Sequence, residues 1–224
     1  MKTFFIILCT FMFTGFSMQA QKSHKKKEVH TQTPQAKPSK YSLKSGELLL
    51  FSEMAGMRTK ITVVFDDYGN REATESVGYR AVEQDLNIKI HTRSILDHGV
   101  LTTLDLEEGT GKRFTVGEYA DAGGINFATL TDSIKKTLGL ELTAQKDTVL
   151  GYVCDVWSLN HPAMSLSGKY SVWNNLVMRS ETMTAGVPMS TYVVKIEANK
   201  PADPAMFTIP DDIIFADEPK RKEH

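Results

Sequence analysis

Between Arg58 and Asp66 the chain sets Ile61, Val63 and Phe65 on one face of an extended backbone, and a two-residue period of this kind recurs along most of the sequence. Such alternation marks a strand with one side on a core. Glu47 to Glu53 precedes it across a turn at Gly56, and Asp67, Tyr68, Gly69 and Asn70 supply turn chemistry before Arg71 to Ser76 returns as the next strand. Leu86 to Thr92 alternates again. Asp97, His98 and Gly99 then lead into Val100 to Leu106, and Gly109 to Gly111 precede a short strand from Arg113 to Val116. A meander of antiparallel strands joined by tight turns is the architecture these segments predict.

One helix interrupts the meander. Phe127, Leu130, Ile134 and Leu138 recur at helical spacing, Lys135 and Lys136 suit the negative end of a helix dipole, and Gly139 is placed to stop it. Strands resume at Thr148 to Leu159, Lys169 to Asn174, Leu176 to Met183 and Met189 to Ala198, with Asn174 and Asn175 as a hairpin turn. The fold class is therefore α+β and mostly antiparallel β.

The run from Thr148 to Leu159 reads as a single strand with apolar groups on both faces: Val149, Val153, Trp157 and Leu159 on one, Leu150, Tyr152, Cys154 and Val156 on the other. A strand facing a single core would show polar residues at alternate positions, so both faces need cover from a helix, a second sheet or a bound apolar ligand. Trp157, Trp173, Met164, Met178, Met183 and Met189 fall in the same half of the chain, and methionine side chains adapt to apolar partners of varied shape. Val153, Trp157, Trp173, Met178 and Met183 are the candidate lining of an apolar cleft.

The first twenty residues predict a secretory signal peptide, residues 1–20. Lys2 supplies the positive start, Phe4 to Phe16 a short apolar run, and Ala20 a small residue at the cut. Leu8 before Cys9 argues against lipidation there. The working form then begins near Gln21 as an exported protein, in the periplasm or secreted. Residues 21–45 carry seven lysines against the single acid Glu28, with Pro34, Pro38 and few apolar groups, and read as a disordered leader. Lys22, Lys25, Lys26 and Lys27 would attract an anionic membrane surface. Residues 46–215 form the ordered domain and 216–224 a disordered tail. Losing Lys2 from 26 basic side chains leaves 25 against 27 acidic ones, a net charge of −2, which does not favour nucleic acid. Nothing in the pattern calls for more than a monomer.

Three segments carry a family resemblance: VVFDDYGNREAT at 63–74, LTDSIKKTLGLELTAQKDTVLGYVCDVWSL at 130–159, and TYVVKIEANKPADPAMFTIPDDI at 191–213. With the Trp-Asn-Asn turn at 173–175 and the Asp-Pro-x-x-Phe-x-x-Pro ending at 203–210, they resemble exported families of unknown function related to the outer-membrane lipoprotein carrier (LolA-like) superfamily. The resemblance spans most of residues 46–215. It implies a curved sheet forming an open half-barrel, at least one helix on the concave side, and a lipid or other apolar ligand between them. The alternative is a structural or protein-interaction module of the envelope whose core is filled by its own side chains.

Catalytic chemistry is not predicted. Asp66 and Asp67 are adjacent, and neighbouring strand side chains point to opposite faces, so a turn role is favoured over a carboxylate pair. The histidines His24, His30, His91, His98, His161 and His224 lack zinc-site spacing. Asp105, Glu107 and Glu108 read as a solvated edge. Once Cys9 has left with the signal, Cys154 is alone in an apolar run and reads as a buried structural thiol. No cofactor and no metal is expected, and the protein is not expected to be an enzyme.

Overall fold

The structure is a computed structural model and describes residues 39–83, 86–115 and 125–215. The segment 1–20 expected to be a signal peptide, the cluster Lys22, Lys25, Lys26 and Lys27, and the tail 216–224 lie outside the described residues. Six strands follow one another first: β1 (Gly46–Met54), β2 (Met57–Asp66), β3 (Arg71–Glu83), β4 (Leu86–Asp97), β5 (Val100–Asp105) and β6 (Thr110–Thr115). Helix α1 (Asp132–Leu138) precedes β7 (Leu140–Val149), β8 (Tyr152–His161), β9 (Leu166–Trp173), β10 (Leu176–Thr184) and β11 (Val187–Ala198), and the two-residue β12 (Ile214–Phe215) closes the series.

All twelve belong to one open sheet in the order β12-β6-β5-β4-β3-β2-β1-β11-β10-β9-β8-β7. The first six strands form one meander and β7 to β11 a second, and the two are joined where β1 pairs antiparallel with β11, Gly46 opposite Ala198 and Met54 opposite Met189. Among the described strands, only β12 runs parallel to its neighbour. Five of the connections are two-residue turns with both residues at positive φ, at Ala55–Gly56, His98–Gly99, Leu150–Gly151, Asn174–Asn175 and Ala185–Gly186. That conformation matches the right-handed twist of paired strands, and asparagine reaches it at little cost. The Asn174–Asn175 turn is therefore legible from residue type alone.

Leu150–Gly151 corrects the single strand drawn from Thr148 to Leu159. The run is the tip of a hairpin, with Leu150 at φ 52° and half exposed, and Val149 pairs with Tyr152. Folding back at that point places Val149 in the same core as Cys154. The preceding strand β7 has no apolar alternation to reveal it, because it is the outer edge of the sheet. Between Leu142 and Lys146 its pairing with β8 slips, and the Thr143 hydroxyl donates to the Val156 carbonyl at 2.8 Å in place of a ladder bond. Such a bulge bends the strand and interrupts its hydrogen-bonding edge.

Helix α1 is shorter than its apolar spacing predicts. Thr131 caps it, its hydroxyl oxygen accepting from the Ile134 amide at 3.3 Å, and Gly139 ends it in the left-handed conformation at φ 66°. Phe127 lies before the helix, where its ring packs on Trp157 at 5.5 Å and Tyr170 at 5.8 Å.

Among the described residues, two apolar cores hold the sheet. The larger gathers Leu48 and Leu50 of β1, Phe65 of β2, Cys154, Leu176, Met178 and Val193, with Tyr41 upstream of the first strand. The other joins Ala73, Ile95 and Leu104 to Met206, Phe207, Ile209 and Phe215 of the C-terminal segment. Composition assigns residues 39–45 to the leader, yet this stretch packs on the domain. The Tyr41 amide donates to the Tyr68 carbonyl at 2.9 Å and the Ser42 amide to the Asn174 carbonyl at 3.2 Å. One buried aromatic outweighs a polar surrounding sequence.

Candidate functional site

The five residues expected to line a cleft do not converge. Met178 is fully buried in the larger core, and Trp173 borders that core with its ring 4.2 Å from Tyr152. Trp157 is half-buried under Phe127. Val153 is 64% exposed, and Met183 is exposed near the end of β10. Of the five, Met183 alone reaches the larger cleft.

That cleft has a volume of ≈ 680 Å³ and lies at the sheet end where β1 turns into β2 and β10 into β11. Met54, Met57, Met183, Met189, Pro188 and Thr182 are among its lining residues. The register explains their meeting. Met54 stands opposite Met57 in the closing pair of the β1–β2 hairpin, and opposite Met189 on β11, which in turn faces Thr182 on β10. Directly opposed residues share a face with their Cβ atoms roughly 5 Å apart, so three methionines and a threonine form one row across four strands. Met164 lies in the neighbouring β8–β9 loop, which is tied to the β10–β11 turn by the Ala185 amide donating to the Ser165 carbonyl at 2.9 Å.

The row has one polar irregularity. Thr182 is 6% exposed and its hydroxyl has no hydrogen-bond partner among the described residues. Buried polar groups are nearly always paired, so each exception needs an explanation. Around the rim, Glu53, Glu181 and Arg58 supply charge, with Arg58 held 3.6 Å from Glu53, donating to the Tyr192 hydroxyl at 3.1 Å and stacked 4.0 Å from the Phe51 ring centre. Thr191 and Ser52, one row inward, bond to each other at 3.2 Å.

A smaller cleft of ≈ 350 Å³ adjoins, lined by residues including Leu150, Arg179, Glu181 and Tyr192. Close to it, Asp147 accepts from the Ser171 hydroxyl at 2.7 Å and from Arg179 at 3.3 Å. The Ser171 hydrogen bond, more than the Arg179 charge, holds the Asp147 carboxyl below its usual range. Burial pushes the neighbouring Cys154 thiol up, away from the reactive thiolate.

The other charged cluster lies on β3 and β4. Glu75 accepts from Arg93 at 2.6 Å and meets His91 Nε2 at 2.7 Å, while Arg93 also donates to the carbonyls of Ala205 and Thr208. Arg93 thereby fastens the C-terminal segment to the sheet. Partial burial raises the Glu75 carboxyl pKa, but the hydrogen bonds from His91 and Arg93 together carry it below the ordinary value. Asp66 and Asp67 end β2 and open the turn, where Asp66 pairs with Arg71 at 3.2 Å. Asp105 accepts from the amides of Glu107 and Glu108, both at 3.0 Å, which is turn chemistry. Among the described residues, no group of three or more His, Cys, Asp or Glu side chains is placed to hold a metal ion.

No protein-family model matches the chain, and no curated protein matches its sequence. Among solved structures, the chain is similar to an uncharacterized conserved protein from Thermus thermophilus, at a TM-score of 0.51 and 6% identity over 80% of this chain and 95% of that one. It is also similar to a chain of the Pseudomonas aeruginosa MucA/MucB complex, at a TM-score of 0.46 and 9% identity over 78% of this chain and 58% of that one. A third similarity is to PNGF-II, at a TM-score of 0.42 and 10% identity over 77% of this chain and 31% of that one. The first is a likeness of fold, and the other two add nothing to it. No helix among the described residues is long and apolar enough to cross a membrane.

Proposed function

We propose that this protein is an exported, non-catalytic binding module of the cell envelope, akin to the lipoprotein carriers, that takes a lipid or lipid-like ligand in the methionine-lined cleft. The observation that carries this reading is that five of the seven methionines among the described residues, Met54, Met57, Met164, Met183 and Met189, gather at one end of the sheet. Flexible thioether side chains suit an apolar ligand of variable shape, and ≈ 680 Å³ falls in the range of ligand sites. The unpaired Thr182 hydroxyl favours an amphiphile, whose single polar group would complete its hydrogen bonding.

A curved sheet is part of the proposal. Consecutive residues Tyr41 and Ser42 bond to Tyr68 and Asn174, at the tips of the β2–β3 and β9–β10 turns. Those tips are four strand spacings apart in the sheet order, about 19 Å if flat. Neighbouring amides reach only about 3.6 Å further than one, so the two carbonyls lie within roughly 10 Å. Bending toward the larger core accounts for the difference. Export is the reading of residues 1–20, and their removal would expose the basic leader.

A second reading, an envelope module that contacts a protein, is favoured by the larger core, where Met178 and Cys154 are fully buried among the sheet's own side chains. The test is native mass spectrometry of protein purified from its own envelope, together with titration of an environment-sensitive fatty-acid probe. Co-purifying acyl material, and probe binding that Met183→Asp and Met189→Asp abolish, are expected. A lipid-free protein that ignores the probe overturns the lipid proposal in favour of the second reading.

A further inference from the structure

The row Met57–Met54–Met189 sets three methionines side by side on one face of neighbouring strands. We propose that these three side chains form a binding site for a soft monovalent metal ion, Cu(I). Soft ligands such as thioethers select Cu(I) over the hard cations and over zinc. Met54 and Met57 flank the two-residue Ala55–Gly56 turn, which fixes them as a directly opposed pair, and the β1–β11 pairing places Met189 on the other side of Met54. All three are half-buried, accessible to an ion yet partly sheltered from water.

Reach is adequate. The outer two Cβ atoms are about 10 Å apart across two strand spacings, and an unbranched methionine with three rotatable bonds can swing its sulfur inward toward the middle residue. Neutral thioethers leave the ion's positive charge uncompensated. Glu53 and Glu181, one residue along from Met54 and Thr182 and so on the other face of the strands, add negative charge at the same sheet end, while Arg58 is engaged by Glu53, the Tyr192 hydroxyl and the Phe51 ring. Met183 stands opposite Pro188, one residue along from Thr182 and so outside the row. It serves as the control position.

A thioether carries no proton at any working pH, whereas thiolate, imidazole and carboxylate ligands must lose theirs before binding. The site is therefore expected to hold its ion with nearly unchanged affinity from pH 7 to pH 5. The ligand set is three sulfurs, and no electron transfer is involved.

The experiment uses the full chain carrying Cys9→Ser, with Ag(I) as a redox-inert probe and Cu(I) added anaerobically in competition with a chromogenic chelator. With methyl-labelled methionine, the signals of Met54, Met57 and Met189 are expected to shift at one equivalent of Ag(I) while those of buried Met178 stay in place. Met54→Leu, Met57→Leu and Met189→Leu are each expected to weaken Ag(I) binding about tenfold or more, a loss of about 1.4 kcal/mol or more. Met183→Leu should leave it within about twofold. Leucine keeps the volume and apolar character, so these variants are expected to fold, with a urea midpoint close to that of the wild type. Metal binding that survives the three leucine substitutions, falls steeply between pH 7 and pH 5, or shifts other methyl signals overturns the inference and leaves the lipid reading untouched. Probe binding absent from the wild type with the metal response intact overturns the lipid reading alone.

Discussion

The Tyr41 hydroxyl donates a 2.6 Å hydrogen bond to Glu72, fastening a residue upstream of the first strand to a carboxylate buried in β3. Lys40 reaches the same oxygen at 2.9 Å. Burial and the Glu72 charge drive the Tyr41 phenol pKa strongly upward, so it stays a donor throughout the working pH range. Tyr41→Phe removes the donor and leaves a buried carboxylate with less compensation. Urea unfolding should show a lower midpoint with unchanged slope, equivalent to about 1–3 kcal/mol. Removing residues 1–45, and with them the buried Tyr41, should cost at least as much as deleting a buried aromatic, about 3–5 kcal/mol.

Glu75 gives an acid limb of known sign. Its carboxyl is held below the ordinary 4.5 once hydrogen bonds from His91 and Arg93 overcome partial burial. A depressed folded-state pKa stabilises above the unfolded value, and the contribution fades as pH falls through the folded one. Thermal unfolding from pH 7 to pH 3 should therefore show a steeper loss for the wild type than for Glu75→Gln, which begins less stable. Arg93→Leu should additionally open the C-terminal segment to protease near Ala205.

Met178 and Val153, both candidate lining residues by sequence, should behave oppositely. Met178→Ala empties a fully buried site and is expected to cost about 2–5 kcal/mol. Val153→Ser alters a side chain 64% exposed and should change stability by no more than about 0.5 kcal/mol. Denaturant melts of the two variants measure the contrast.

Cys154 should be inert while the domain is folded. Its thiol is buried and its pKa pushed up by that burial. In the Cys9→Ser chain, an aromatic disulfide reagent at pH 8 should label no thiol in buffer and one in concentrated urea, counted by the released chromophore.

Legibility followed periodicity. Strands such as β2, whose Ile61, Val63 and Phe65 pack in the larger core, announce themselves by alternation, and turns made of Asn174–Asn175 or His98–Gly99 by residue type. Leu150–Gly151 is hidden because a leucine occupies a turn and joins two apolar stretches into one. β7 is hidden because a strand at the rim buries little and need not alternate. The methionine row depends on β1 pairing with β11, Met54 with Met189, and no local pattern encodes a partner more than a hundred residues away. Its one local trace is Met-Ala-Gly-Met, two methionines framing a tight turn.

The interrupted pairing of β7 bears on how the molecule behaves in a crowd. An open sheet ends in strands whose free amides and carbonyls invite another copy to continue the ladder, the first step toward fibres. Here one rim is capped by the two-residue Ile214–Phe215, which covers Thr110 and Gly111 of β6, and the other is broken at Thr143–Gln145 and followed by Lys146, paired with Asp155, and Asp147. Each interruption shortens the ladder that a second chain could continue, which disfavours edge-to-edge growth when many copies are crowded together.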